Sequence, residues 1–246
     1  LVQPDKAGHK LALLDQHPRV RKTAKLAMKT TQSNLLLHNA FPDGPDKYTD
    51  FARDALLESA DSLGFKDIKT RLKRDADYAH DLASLPVQRI STFRGKVKGL
   101  TDQSVSKAYN LDIGDPAHVK WLKTGLRYIY PNDYSPYGLD IFAQTIRQAW
   151  FKGPRSFGWT IIDKFPSSLP DKPSEKEIPA PMLALVATAV YASILDHEPE
   201  VYEASDFTAN DFADAYTEHI RVLAAIKQND LRAYHALMHG LYRQVW

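Results

Sequence analysis

Between Trp121 and Trp159 the chain mixes rings, cations and carboxylates: ten aromatic residues, five Lys or Arg and two acids in 39 positions. Rings stack on nucleobases while Arg and Lys meet phosphates, so the mixture suits a flat, anionic ligand. It also holds the groups needed to cleave a purine from ribose. The base must be unstacked and held, a donor should sit on the departing base, and a carboxylate should face the oxocarbenium-like sugar. Tyr128, Tyr130, Tyr134 and Tyr137 are candidate rings, Arg127 or Arg147 the donor, and Asp133 or Asp140 the carboxylate. Arg147 follows Asp140 by seven residues, which is two turns along one helical face. The catalytic set chosen on this basis is Tyr128, Tyr134, Tyr137, Asp140 and Arg147. The competing reading is a core crossing with long basic side chains lying over it.

Other chemistries find less support. The chain has no cysteine, which removes disulfides, thiolate nucleophiles and Cys-ligated metal centres. It also lacks GxSxG, GxxxxGK[ST] and GxGxxG, so serine-hydrolase, ATP-driven and nicotinamide or flavin chemistry are poor fits. His235 and His239 have the i,i+4 spacing of a metal pair, but no HExxH motif surrounds them. Two wet surface histidines are the expected reading, and neither a metal nor a cofactor is assigned. His219 falls on an apolar helical stripe with Phe212, Tyr216, Leu223 and Ile226, where a satisfied core histidine is expected.

The net charge of +2 conceals an asymmetry. Residues 17–39 carry Arg19, Arg21, Lys22, Lys25 and Lys29 without an acid, and in 66–98 bases outnumber acids nine to four. Residues 196–218 carry eight acids and no Lys or Arg. A basic front and an acidic back would orient the molecule on a polyanion. Arg19, Arg21, Lys22, Lys25 and Lys29, with Arg127, Lys152 and Arg155, are therefore the expected RNA contacts.

Positioning these groups falls to helices with Pro-rich joints. Helices are expected over 19–38, 48–63, 65–85 with a stop at Pro86, a broken helix over 89–109, and a helix from the Asp115-Pro116 cap through Tyr130. A further helix spans 139–151. Residues 165–181 hold five prolines and read as a linker or surface loop. Pro181 opens a helix that is apolar all round and therefore buried, and 208–228 and 230–245 form an amphipathic pair. Any strand would be a short piece near 159–162. The fold class is all-α with little or no sheet: one domain over 1–246, with possible sub-lobes 1–110 and 111–246. The longest apolar run, 182–195, is short of the ~20 residues of a membrane span. No signal peptide is visible.

Five phrases resemble a known family: NAFPD at 39–43, LRYIYP at 126–131, PMLALVATAVYA at 181–192, FTAN at 207–210 and AYHALMHGLY at 233–242. The family is a helical domain of unknown function from mushroom-forming fungi. It has no agreed catalytic motif, so no residue role transfers. A narrower resemblance, to a cysteine-free, mildly basic ribosome-inactivating protein of that origin, implies an RNA N-glycosylase. Such an enzyme removes an adenine from the sarcin–ricin loop of large ribosomal RNA. The resemblance further implies the ribosome, through its large RNA, as partner; no obligatory protein partner and no membrane are evident from the residues, and the location is left open between the cytoplasm and storage in the producing fungus. The plant toxins of this activity carry Glu-Ala-Ala-Arg-Phe; the nearest string here, 203–207, has Asp206 where the arginine would stand. A shared activity would therefore sit on a different scaffold. The alternative is a non-catalytic protein- or nucleic-acid-binding helical module.

Overall fold

The computed structural model describes residues 11–42, 44–130, 135–199, 201–202 and 204–246, the side chains of 44–46 apart. Among these residues there are ten α-helices and no strand: α1 Pro18–Leu37, α2 Gly44–Ser62, α3 Lys66–Arg74, α4 Ala76–Asp102, α5 Val105–Tyr109, α6 Pro116–Lys123, α7 Asp140–Ile146, α8 Ala180–Leu195, α9 Ala209–Asn229 and α10 Leu231–Val245. The fold is all-α. None of these helices is long and apolar enough to cross a membrane.

Two compact units divide the chain, one of residues 1–35 and 41–93, the other of 36–40 and 94–246. The first is built on small residues. Ala24, Ala27, Ala52, Ala55 and Ala60 let helices approach closely around Leu56, Leu72 and Leu82. Gly64, at φ 68°, ends α2, with the Phe65 N–H returning to the Ala60 carbonyl at 2.9 Å. That left-handed closing residue is what glycine permits without strain.

The second unit wraps α8. Its residues 182–190 are all buried, and α7 and α9 pack along it while α10 packs on α9 and α7. An apolar surface all round the helix leaves it no other place. Caps fix the ends of its neighbours. The Asp115 carboxylate accepts from the His118 N–H at 3.0 Å, and the Asp230 carboxylate accepts from the N–H groups of Arg232 and Ala233 at 2.9 Å.

The elements depart from expectation at several points. Pro86 does not stop a helix but lies buried inside α4. The break comes earlier, at Asp75, whose extended backbone closes α3 and whose carboxylate caps α4 through the Tyr78 N–H at 3.0 Å. Pro86 forfeits one backbone bond, and its burial in the core offsets that loss so that the helix runs through it. The helix begun at Asp115 ends at Lys123 rather than Tyr130, because Gly125 and Leu126 turn left-handed at φ 64° and 57° and a 3₁₀ segment follows. Residues 157–164, the place expected for a strand, form two short 3₁₀ turns.

The Pro-rich run 165–181 lies within the second unit and is stitched to α10. Ile178 donates to the Met238 carbonyl at 3.2 Å, and Glu177, 1 % exposed, accepts from Ser168.

Candidate functional site

The aromatic–basic stretch is sorted by α7 and the turn before it. Tyr137 takes a left-handed backbone, φ 59°, and its N–H binds the Ile129 carbonyl at 2.5 Å. Its ring turns inward. Tyr128 and Tyr137, each 1 % exposed, both bond the His219 imidazole of α9, Tyr128 Oη at 2.6 Å from Nε2 and Tyr137 Oη at 3.1 Å from Nδ1. A neutral imidazole has one donor and one acceptor, so one tyrosine donates to the ring and the other accepts from it. Burial pushes the His219 pKa down to about 4, and the charge of Glu218 opposes this only in part. Burial likewise raises both tyrosines above the usual phenol range. Tyr109 completes the cluster by donating to the Tyr128 carbonyl at 2.8 Å. The group is buried and its polar atoms are hydrogen-bonded. It holds the chain in place and offers no ring to a ligand.

Beside this cluster lies an open cleft of about 580 Å³, lined by Gln103, Ser104, Lys107, Ala108, Gly138, Leu139, Asp140, Ile141 and Gln144. Its polar lining comes from the turn between α4 and α5, from α5 itself and from the first turns of α7. Asp140, Lys107, Gln103 and Gln144 are all exposed. A carboxylate, an ammonium and two amides thus share one concave wall. Asp140 stands three residues beyond Tyr137, so the buried Tyr137–His219 contact anchors the segment that carries the carboxylate.

The remaining sequence-selected residues fall elsewhere. Arg147 is exposed in the π-helical turn 147–151 that follows α7, outside the cleft lining. Tyr134 and Asp133 lie outside the described residues. Lys152 and Arg155 are exposed on the loop after that turn, and Arg127 is exposed next to Trp121. On α1, Lys22, Lys25 and Lys29 form an exposed stripe. Arg21 is half-buried and reaches the Leu14 carbonyl at 3.3 Å. Arg19 is engaged bidentately by Asp67, at 3.0 and 2.6 Å, above the Phe65 ring. The basic run 66–98 is less available than its count implied: Lys98 is buried between Asp102 and Asp196, at 3.0 and 2.5 Å.

Sequence reasoning missed the Lys107–Gln103–Gln144 side of the cleft, because residues some 35 positions apart meet there and none of them forms a motif. It also misplaced His235. Rather than a wet rim residue, His235 is 5 % exposed, with Nδ1 at 2.7 Å from Glu177 and Nε2 at 2.7 Å from Glu175. Ionised carboxylates only accept, so holding both bonds makes the ring an imidazolium. Burial works against that charge, but the bonds to Glu175 and Glu177 outweigh it and raise the His235 pKa. His239 stacks on it at 5.4 Å and bonds the Lys176 carbonyl. Among the described residues no group of three or more His, Asp or Glu has the geometry to hold a metal ion.

Residues 26–226 match the family described as Domain of unknown function (DUF6532). The chain belongs to this family. No curated protein and no solved structure matches it.

Proposed function

We propose that the chain is an RNA-directed enzyme, an N-glycosylase that removes an adenine from the sarcin–ricin loop of large ribosomal RNA and so inhibits translation. The observation that carries this reading is Asp140 on the wall of an open cleft that also presents Lys107, Gln103 and Gln144. Asp140 takes the role of the carboxylate that stabilises the oxocarbenium-like ribose as the glycosidic bond breaks. The amides of Gln103 and Gln144 are suited to the hydrogen-bonding edges of an unstacked base, and Lys107 to an adjoining phosphate. Water takes the place of the departing adenine on the sugar, and a proton from solvent or a cleft donor goes to the base. No metal or cofactor enters this scheme. Tyr137 acts as a positioning residue through its bond to His219, and Arg147, exposed just after α7 and outside the cleft lining, is offered as a phosphate contact.

Support also comes from the narrower sequence resemblance, which is to edodin, the ribosome-inactivating protein of shiitake, and carries with it a fungal origin. The exposed stripe of Lys22, Lys25 and Lys29 adds a phosphate-binding surface. Adenine release from purified ribosomes, quantified by chromatography, tests the assignment. Wild-type protein is expected to release about one adenine per ribosome, and Asp140→Asn to slow release by about 100-fold or more. Full activity in Asp140→Asn would remove the cleft from the reaction.

The second reading, a non-catalytic nucleic-acid- or protein-binding module, is favoured by one specific fact: Tyr128 and Tyr137 are sealed in the core, so neither can sandwich a base. Binding to ribosomes without adenine release would select it.

A further inference from the structure

Trp121 is 55 % exposed on α6, although indole is among the costlier side chains to leave in water. Its surroundings are organised. The Arg127 guanidinium carbon lies 5.2 Å from the indole centroid, and Arg127 Nη1 donates to the Trp121 carbonyl at 3.2 Å. His118 meets the ring edge-on, centroids 6.0 Å apart. Arg127 reaches back only because the chain reverses at Gly125 and Leu126, and Leu126 holds a left-handed φ of 57° that L side chains rarely adopt. A locally unfavourable backbone thus sets a cation beside an exposed ring.

The charge around the ring selects the kind of partner. Lys120 is exposed next to Trp121 in sequence, Lys123 is paired with Glu198 at 3.2 Å, and Asp115 faces His118 at 3.9 Å. Arg127 stands beside the indole and the exposed Lys120 precedes it in sequence; both are cationic. A ring set among cations fits a ligand with a flat π-face joined to an anionic backbone. An acidic peptide would satisfy the cations but leave the ring without a flat partner.

We infer that Trp121 is a stacking platform for one unpaired base of single-stranded RNA, with Arg127 and Lys120 taking the adjoining phosphates. The site is separate from the Asp140 cleft lining and has no part in bond cleavage. It rests on the reading that the chain is directed to RNA, and deepens it by naming where a base flanking the target would be held.

The test measures binding of a fluorescein-labelled single-stranded oligoadenylate RNA to the full chain by anisotropy at low salt. Trp121→Ala is expected to weaken binding about tenfold, the usual size of one base–aromatic stack. Trp121→Phe, which keeps a ring, should stay within about threefold of wild type. The helical circular dichroism of both should match wild type, since the ring is exposed. The proposal is overturned if wild type does not bind the RNA, if Trp121→Ala binds as tightly as wild type, or if Phe and Ala cause the same loss. Failure here is distinguishable from failure of the glycosylase reading. Trp121-dependent binding without adenine release leaves the platform standing and the enzyme refuted. Adenine release together with Trp121-independent binding does the reverse.

Discussion

Tyr137 and Asp140 are three residues apart, yet one is sealed against His219 and the other lines an open cleft. Tyr128 and Trp121 repeat the contrast: the first is 1 % exposed, the second 55 %. All four belong to one stretch whose composition reads uniformly as rings among cations. The difference teaches that the stretch does two jobs. Its inward rings build the support, and its outward residues are the ones left accessible to a ligand. Substitutions on the inward set should therefore be read in stability, and those on the outward set in binding or turnover.

The largest expected effect breaks the support. Tyr128→Ala removes a buried ring and strands one nitrogen of His219, and should cost about 4 kcal/mol in urea unfolding. A loss below about 1 kcal/mol would mean that the inward rings carry no load. Next comes pH. The His219 pKa is about 4 in the fold and near the ordinary histidine value when unfolded, so the unfolded chain binds the extra proton first. Stability should fall as pH drops from 6.5 toward 4, by on the order of 3 kcal/mol from this residue, and level off below. Urea midpoints measured across that range for wild type and His219→Asn isolate the contribution; parallel curves would contradict it.

A smaller effect carries the opposite sign. His235 has its pKa raised, so its contribution is complete below the ordinary histidine range and is lost as pH rises through the folded value. Glu175→Gln should flatten that alkaline decline only slightly, because the Glu175 side chain is 35 % exposed and solvent screens the pair. A two-dimensional NMR titration of the two imidazoles would show one neutral and one charged near pH 6.5; identical titrations would end the contrast between them.

Much of the scaffold was legible because it rests on local rules. Asp115-Pro116, Thr208 and Asp230 announce helix starts, Gly64 a stop, and the apolar run after Pro181 a buried helix, and each holds. Pro86 misled because tertiary packing outweighed one lost backbone bond. The helix expected from Asp115-Pro116 through Tyr130 ends early because Leu126 adopts a conformation its type disfavours, which no propensity announces. Site residues were harder still. Asp140 could be nominated by type, but its neighbours Lys107 and Gln103 come from another helix pair and share no spacing with it. His235 was misread because its partners, Glu175 and Glu177, lie about 60 residues away on a loop that composition marks as a linker.

The central claim is that this fold carries an adenine-specific glycosylase centred on Asp140. Its most direct test incubates intact eukaryotic ribosomes with wild type or Asp140→Asn, treats the RNA with aniline at acid pH, and resolves it on a gel. The account predicts one new fragment from the 3′ end of the large ribosomal RNA with wild type and almost none with the variant. Uncleaved RNA with wild-type protein, or equal cleavage by both, would contradict it.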